Sequence, residues 1–330
     1  ASITEFPFFS FLYGDLHAHL ISMPFSLLVI GLSLAIILAN LQTTTRKTYL
    51  TLFLLLALTV GSLQAINAWD YPTFLIISLG ALVLAEYTKH QTLNRKILLK
   101  AGYWSVLLIF LSMFLFLPYH ATNEAFNLGV HGSIWQTPLY VYLAIHAVFV
   151  LIIATFLIEH IYQIIWPHWD LRIWWSNITK VVRTPNLAIT YSAIIITPLV
   201  TITLLSALGY GTVAFLFLLF LSLLCIGIYY VTTYHSSSPH ILFVVMLTTI
   251  AFGLGIAVEL VTINEDIDRM NTVFKLYLQA WLLLALASAF YLGRILFIWN
   301  NSQGLRRIGK GIWLSIFLVL LAGSLVYPVL

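Results

Sequence analysis

The sequence predicts an all-α protein, a polytopic bundle of about ten transmembrane helices. Two features of the composition support this prediction, because 61% of the 330 residues are hydrophobic and only 8% are charged. A water-soluble domain could not cover its surface with polar groups at that ratio, so the soluble classes are excluded. The third feature is that the apolar residues form long runs, which mostly lack the strict alternation of a membrane β-barrel.

Each of ten apolar runs, at roughly 18 to 28 residues, is long enough to cross a hydrocarbon core of about 30 Å. We predict helices near residues 20–39, 48–66, 71–88, 97–117, 138–165, 187–207, 211–234, 240–262, 272–299 and 309–329. A helix satisfies its backbone hydrogen bonds internally, as lipid requires. Residues 1–330 are predicted to form a single transmembrane domain, of which residues 1–19 are a motif segment in the membrane interface.

The Lys and Arg residues predict the orientation of the bundle, because cytoplasmic loops are enriched in them. In a ten-span arrangement, 13 of the 15 basic residues fall on one side. They are Arg46, Lys47, Lys89, Arg95, Lys96, Lys100, Arg172, Lys180, Arg183, Arg294, Arg306, Arg307 and Lys310. The two exceptions, Arg269 and Lys275, accompany acidic residues on the other side. We therefore predict a cell-membrane protein whose basic side is cytoplasmic and whose motif loops face outside.

Several functional classes are disfavoured by what the chain lacks. Its single cysteine, Cys225, cannot form a disulfide within the chain or a thiolate metal site. The basic residues are spread among inner loops, so nucleic-acid binding is not expected. There is no glycine-rich nucleotide cradle, which argues against a nucleotide-sugar donor. Because a motif-like segment follows Ala1 at once, we expect a preceding N-terminal part to be missing.

The first of three unusual outer segments covers residues 5–19. Glu5 opens an aromatic stretch typical of the membrane interface, and Asp15, His17 and His19 follow just before the first apolar run. Carboxylate oxygen and imidazole nitrogen at this spacing suit either a divalent cation or an acid–base pair. The alternative is a solvated membrane-entry segment whose polar groups stay among the lipid headgroups.

The second segment, residues 67–73, is a very short outer connection between two predicted helices. It contains Trp69, Asp70 and Pro72, and proline suits the first turn of a helix. Asp70 could cap the free amides of that helix, which is the structural interpretation. It could equally be a ligand-binding carboxylate, because such a position would be held rigidly at the membrane surface.

The third segment begins at Glu265. If a helix starts near Asp268, then Asp268, Thr272, Lys275 and Gln279 follow helical spacing as one polar stripe. A lysine below the start of a membrane helix costs several kcal/mol unless it is paired or lines a wet cavity. The two cations of this segment therefore indicate either a structural ion pair or a site for an anionic phosphate.

The segments over residues 5–19, 67–73 and 269–281 resemble, in order, the signature blocks of the Chlor_Arch_YYY membrane proteins, an uncharacterised archaeal and chloroflexal family. That family is similar to the GT-C superfamily of glycosyltransferases, which use lipid-phosphate-linked sugars at the outer membrane face. The resemblance implies a GT-C-like fold. It also implies that a first outer loop with a catalytic acid, together with N-terminal helices, precedes the present chain.

Two hypotheses follow, and the first is a glycosyltransferase that uses a polyprenyl-phosphate-linked sugar. Asp15 would be a general base or metal ligand, and a divalent cation, Mg²⁺ or Mn²⁺, would bind to Asp15 and His19. The catalytic candidates are Asp15, His17, His19 and Asp70. The donor-phosphate candidates are Arg269, Lys275, Asn271 and Gln279, supported by Glu5, Trp69, Glu265 and Asp268.

The second hypothesis is a non-catalytic subunit of a larger membrane assembly, or a transporter, in which the outer polar cluster is structural or conducts a substrate. Either way the partners include membrane lipid. Three outer loops with unusual polar residues are most simply explained by one pocket. We therefore predict that Asp15, Asp70 and Arg269 line one outward-facing cavity.

Overall fold

The computed structural model describes residues 17–41, 44–122, 129–165, 185–232, 239–263, 269–300 and 305–329. These residues form eleven helices and two short strands. The elements are α1 (Ala18–Leu41), α2 (Arg46–Ile66), α3 (Asp70–His90), α4 (Arg95–Phe114), α5 (Leu117–Thr122), β1 (Val130–Gly132), α6 (Leu139–Ile165), α7 (Pro185–Ala207), α8 (Gly211–Thr232), α9 (Pro239–Leu260), β2 (Val261–Ile263), α10 (Met270–Trp299) and α11 (Leu305–Val329).

The long helices confirm the predicted all-α, polytopic bundle. Among the described residues, nine helices are long and apolar enough to cross a membrane. The helix α7, which is not among these nine, has 23 residues, a length of about 35 Å at about 1.5 Å per residue, and corresponds to the sixth predicted run, 187–207. One boundary differs, because α4 ends at Phe114 and the short helix α5 follows, where a continuous helix to residue 117 was predicted.

Local sequence signals explain where two of the helices begin. Thr45 accepts a hydrogen bond from the Thr48 amide (3.2 Å) at the start of α2. Asn94 accepts one from the Ile97 amide (3.0 Å) at the start of α4. Both are side-chain N-caps, which satisfy an amide that has no partner within the helix.

The described part of the chain divides into two compact units. Unit 1 comprises residues 1–135 and 223–287, and unit 2 comprises residues 136–222 and 288–330. In unit 1, α1 packs against α2 and α3, and α3 packs against α4 and α9. The helices α2 and α4 approach closely at Gly61, where a Cβ atom would collide with the Ser112 carbonyl oxygen and the Phe116 ring. The prediction of a single domain stays a prediction.

The two ends of unit 1 differ in polarity. Asp70 begins α3, whereas Lys89 lies in its last turn and donates to the Asn40 side chain (3.3 Å) at the end of α1. Near the same end, Lys100 forms an ion pair with the buried Glu86 (3.0 Å). Asp70 and Lys89 thus lie at opposite ends of α3, and the acidic Glu86 near the Lys89 end is paired with a cation.

A pair of strands in unit 1 was not predicted. The antiparallel pairing of β1 with β2 aligns Val130 with Ile263 and Gly132 with Val261. The sequence prediction continued a helix to residue 262, which was wrong, since α9 ends at Leu260. The β-branched residues Val-Thr-Ile of β2 favour an extended backbone, but three residues are too few for a recognisable alternation.

Aromatic residues make several of the contacts between helices in unit 2. The ring of Phe156 on α6 stacks on Tyr291 of α10, with centroids 4.0 Å apart. The indole of Trp299 donates to Glu159 (2.8 Å). The indole of Trp313 on α11 donates to the hydroxyl group of Thr155 on α6 (2.8 Å). These bonds pair polar side chains that would otherwise be costly in lipid.

Candidate functional site

The centre of the candidate site is Asp70, the first residue of α3 in unit 1. Its side chain is 5% exposed. One carboxylate oxygen, Oδ1, accepts a hydrogen bond from the Gln279 amide nitrogen (2.6 Å), and the other, Oδ2, accepts one from the Ser22 hydroxyl. The α3 N-terminus has no side-chain capping bond at Trp69. Asp70 therefore connects α3 to α1 and α10.

Gln279 joins α10 to α3 through every polar atom of its side chain. Its nitrogen donates to the Trp69 carbonyl oxygen (3.0 Å) as well as to Asp70. Its oxygen accepts from the Thr73 hydroxyl (2.5 Å). The amide has two hydrogens to donate, and both have acceptors within unit 1. Gln279 thus holds Asp70 in place, a connection that sequence reasoning missed.

Residues from all three predicted segments meet in unit 1. The buried ring of His19 packs edge-on against Phe274 (centroids 4.2 Å apart) and stacks with the His17 ring (5.3 Å). The ammonium group of Lys275 lies 5.2 Å from the centroid of the Trp69 ring, a cation–π distance. The polar ends of α1, α3 and α10 therefore form one cluster.

A small cavity opens between these helices. Its polar lining consists of His19, Ser22, Ser26, Asp70 and Gln279, and apolar side chains complete the wall. Its volume is about 20 Å³, enough for one water molecule. In this conformation the cavity is too small for a sugar.

A second polar cluster surrounds Arg269, at the start of α10. Its guanidinium group donates to both carboxylate oxygens of Glu259, at 3.0 and 3.2 Å, and to the Trp135 carbonyl oxygen. The Tyr277 hydroxyl donates to the same carboxylate (2.6 Å). Both charged side chains are buried, which matches the ion-pair alternative for this segment.

Sequence reasoning did not single out Glu259, although a signal was present. Glu259 is the only Asp, Glu, Lys or Arg in the apolar run over residues 240–262. An isolated carboxylate in a membrane helix needs a partner, and Arg269, a cation on the acidic side, was the obvious candidate. Arg269 itself has a positive φ of 71°, so its backbone is in the left-handed region immediately before α10.

The family model described as uncharacterized membrane protein (DUF2298) matches residues 1–284. The chain belongs to this family. The DUF2298 match includes all three segments and both polar clusters. Comparison with curated proteins and with solved structures finds no match for the chain.

Four of the predicted site residues lie outside the residues that the structure describes. They are Glu5, Asp15, Glu265 and Asp268. The catalytic and metal-binding roles of Asp15 therefore stay predictions, although the DUF2298 match includes this residue. In the described part of the chain, no group of three or more His, Cys, Asp or Glu residues could hold a metal ion. The predicted Mg²⁺ or Mn²⁺ site stays a prediction as well.

Proposed function

We propose that the protein is a glycosyltransferase that uses a polyprenyl-phosphate-linked sugar at the outer face of the cell membrane. One observation supports the proposal above all others: the three polar segments meet in unit 1, with His19, Asp70 and Lys275 at the same end of their helices. Ionisable residues within membrane helices are costly, and they usually mark functional sites.

The acid–base chemistry is assigned to the carboxylates and imidazoles of the first two segments. In the proposed reaction an acceptor hydroxyl attacks the anomeric carbon, its proton passes to a carboxylate or imidazole base, and polyprenyl phosphate leaves. Asp15 is proposed as the base, with His17 and His19 assisting. Asp70, which lines a cavity with His19, orients the acceptor end of the site. General base catalysis of this kind contributes about 10²–10⁴-fold to the rate.

We assign binding of the donor phosphate to the residues at the start of α10. Lys275 and Asn271, both partly exposed, lie within two turns of the helix N-terminus, where backbone amides favour an anion. Lys275 lies against the face of the Trp69 ring, an arrangement that places a cation beside an apolar surface. Because Arg269 and Gln279 bind protein groups, we propose that they position α10 and do not contact the phosphate.

A divalent cation would bind at the first segment. Asp15 and His19 supply the oxygen and nitrogen donors for it. When bound, the cation would stabilise the negative charge of the leaving phosphate.

The test uses the full-length protein, purified in nanodiscs and mixed with a radiolabelled polyprenyl-phosphate sugar. We expect Lys275→Gln to weaken donor binding about tenfold, because a charged hydrogen bond to phosphate is lost. We expect Asp15→Asn to keep donor binding and to reduce release of polyprenyl phosphate at least about 100-fold. Lys89→Gln, at the opposite end of α3, is the control and should change neither. Absence of donor binding by the wild-type protein would refute the proposal.

The second candidate is a non-catalytic role in a membrane assembly or in transport. Two observations favour it: the cavity holds only about one water molecule, and Glu259 neutralises Arg269. Under this hypothesis, Asp70→Asn and Arg269→Met would lower the stability of the protein, and neither the wild-type protein nor the variants would bind the sugar donor. The same nanodisc experiment distinguishes the two candidates.

A further inference from the structure

Asp70 has no cationic partner among the described residues. The ion pairs described in unit 1 involve Glu86 and Glu259, and the groups that donate to Asp70, on Ser22, Asn67 and Gln279, are neutral. An ionised carboxylate that is removed from water costs several kcal/mol unless a positive charge compensates it. The Asp70 site therefore requires one positive charge from outside the described side chains.

The hydrogen bonds around Asp70 come from groups that carry no charge. The Ser22 hydroxyl has one hydrogen, but it lies within hydrogen-bond distance of two acceptors, the His19 carbonyl oxygen (2.9 Å) and Asp70 Oδ2. Ser22 can satisfy only one of them fully. Gln279 uses both amide hydrogens for the Trp69 carbonyl oxygen and Asp70 Oδ1, and has none left for Oδ2. The Asn67 amide also bonds to the Asp70 carboxylate, but it is neutral, so the hydrogen bonds bring no positive charge to the site.

The cavity provides the space for a cation. It adjoins Asp70 and has a volume of about 20 Å³, whereas a proton needs no cavity. Ser26, one turn beyond Ser22 on α1, also lines it. The Ser26 side chain is 1% exposed and lines the same cavity. An ion in the cavity would give its hydroxyl group a partner.

We propose that this cavity binds one small monovalent cation, of which Na⁺ is the biological example. The ligands would be the Asp70 carboxylate and the hydroxyl oxygens of Ser22 and Ser26. The single carboxylate balances one charge, whereas Ca²⁺ takes about 6–8 oxygen ligands and Mg²⁺ normally keeps several waters. K⁺ is about as large as a water molecule and Na⁺ is smaller, so Na⁺ can approach the carboxylate and hydroxyl oxygens around this cavity more closely. The other titratable side chain lining the cavity is His19, whose ring packs against His17 and Phe274.

Such a cation would join three helices of unit 1. Asp70 belongs to α3, the two serines belong to α1, and Gln279 of α10 holds the carboxylate. Since the cation binds the folded arrangement and not the unfolded chain, it would stabilise the protein by mass action. This inference is independent of the proposed glycosyl transfer, because it needs neither a donor nor turnover.

The test measures binding of radioactive sodium to the purified full chain in nanodiscs, in choline chloride buffer without any sugar donor. We expect saturable binding of one Na⁺ per chain that unlabelled Na⁺ displaces and K⁺ does not. We also expect the melting temperature to rise with NaCl and not with choline chloride at the same ionic strength. Asp70→Asn should abolish both effects, and Ser26→Ala should weaken binding about tenfold, by the loss of one ligand.

Ser33→Ala is the matched control for Ser26→Ala. Ser33 lies on the same helix, is fully buried and has no hydrogen-bond partner for its hydroxyl in the described part of the chain, but it does not line the cavity. Its loss should leave Na⁺ binding unchanged. No saturable binding by the wild-type chain, as expected if a proton alone neutralises Asp70, would overturn the proposal. So would equal effects of Ser26→Ala and Ser33→Ala. A chain that binds Na⁺ but no sugar donor would support this site and refute the glycosyltransferase.

Discussion

Arg269 and Glu259 form a two-point ion pair inside unit 1, with nitrogen–oxygen distances of 3.0 and 3.2 Å. The side chains are 6% and 0% exposed. Arg269 also donates to the Trp135 carbonyl oxygen, and Tyr277 donates to the Glu259 carboxylate. The pair therefore connects the end of α9, the start of α10 and the segment after β1. It gives a structural reason for the one arginine that departs from the positive-inside pattern.

Removing Arg269 should destabilise the protein strongly. We expect Arg269→Met to lower the free energy of unfolding by about 3–5 kcal/mol, because it leaves the Glu259 carboxylate buried without a countercharge. Equilibrium unfolding in mixed detergent micelles would measure this change. The double variant Arg269→Met, Glu259→Met should recover most of the loss. Lys89→Met, at an exposed position, is the control, and an Arg269→Met protein as stable as this control would contradict the role of the pair.

Gln279→Leu should also be destabilising, by about 1–3 kcal/mol, because the acceptors on Asp70 and Trp69 and the Thr73 hydroxyl would lose their partner. Gln64→Leu offers the comparison, since the Gln64 side-chain oxygen is buried without a hydrogen-bond partner among the described residues. That substitution removes an unsatisfied group and should cost less. Thermal unfolding of both variants in the same detergent checks the difference, and equal losses would refute the assignment.

The packing of α2 against α4 can be tested at Gly61. A Cβ there would meet the Ser112 carbonyl oxygen, which is backbone and cannot rotate away, so we expect Gly61→Ala to lower the melting temperature clearly. Gly102→Ala, on α4, meets nothing within 4 Å and should be neutral or stabilising, by up to about 1 kcal/mol of helix propensity. A Gly61→Ala protein at least as stable as Gly102→Ala would show that the helices are not in contact there.

The orientation of the bundle is testable by cysteine labelling. Cys225 is the only cysteine and is exposed, so it is first replaced by alanine, and the labelling variants are made in that Cys225→Ala protein. In intact cells, a membrane-impermeant maleimide should label His131→Cys at once and Lys96→Cys only after permeabilisation. Both positions are exposed in the structure. Labelling of both from the same side would contradict the predicted topology.

Among the described residues, apolar run length was sufficient to predict every helix except the six-residue α5, and the bounds agree with the structure to within four residues. Lipid leaves a long apolar run few alternatives to a helix, so this part of the fold depends on local sequence alone. The pairing of β1 with β2 could not be found in the same way, because it joins residues near 131 to residues near 262 and each strand has three residues.

In the candidate site, too, some features depend on local sequence and others on tertiary packing. Local composition was enough to indicate that His19, Asp70 and Lys275 belong to unusual segments at one end of the helices, because charged residues near lipid are conspicuous. The choice of partners was decided only by tertiary packing. Asp70 bonds to Ser22 and Gln279, 48 and 209 residues away, and not to the amides of its own helix. Hydrogen bonds and ion pairs act over about 3–4 Å, so which groups pair depends on how the helices pack, and that packing cannot be read from any one segment.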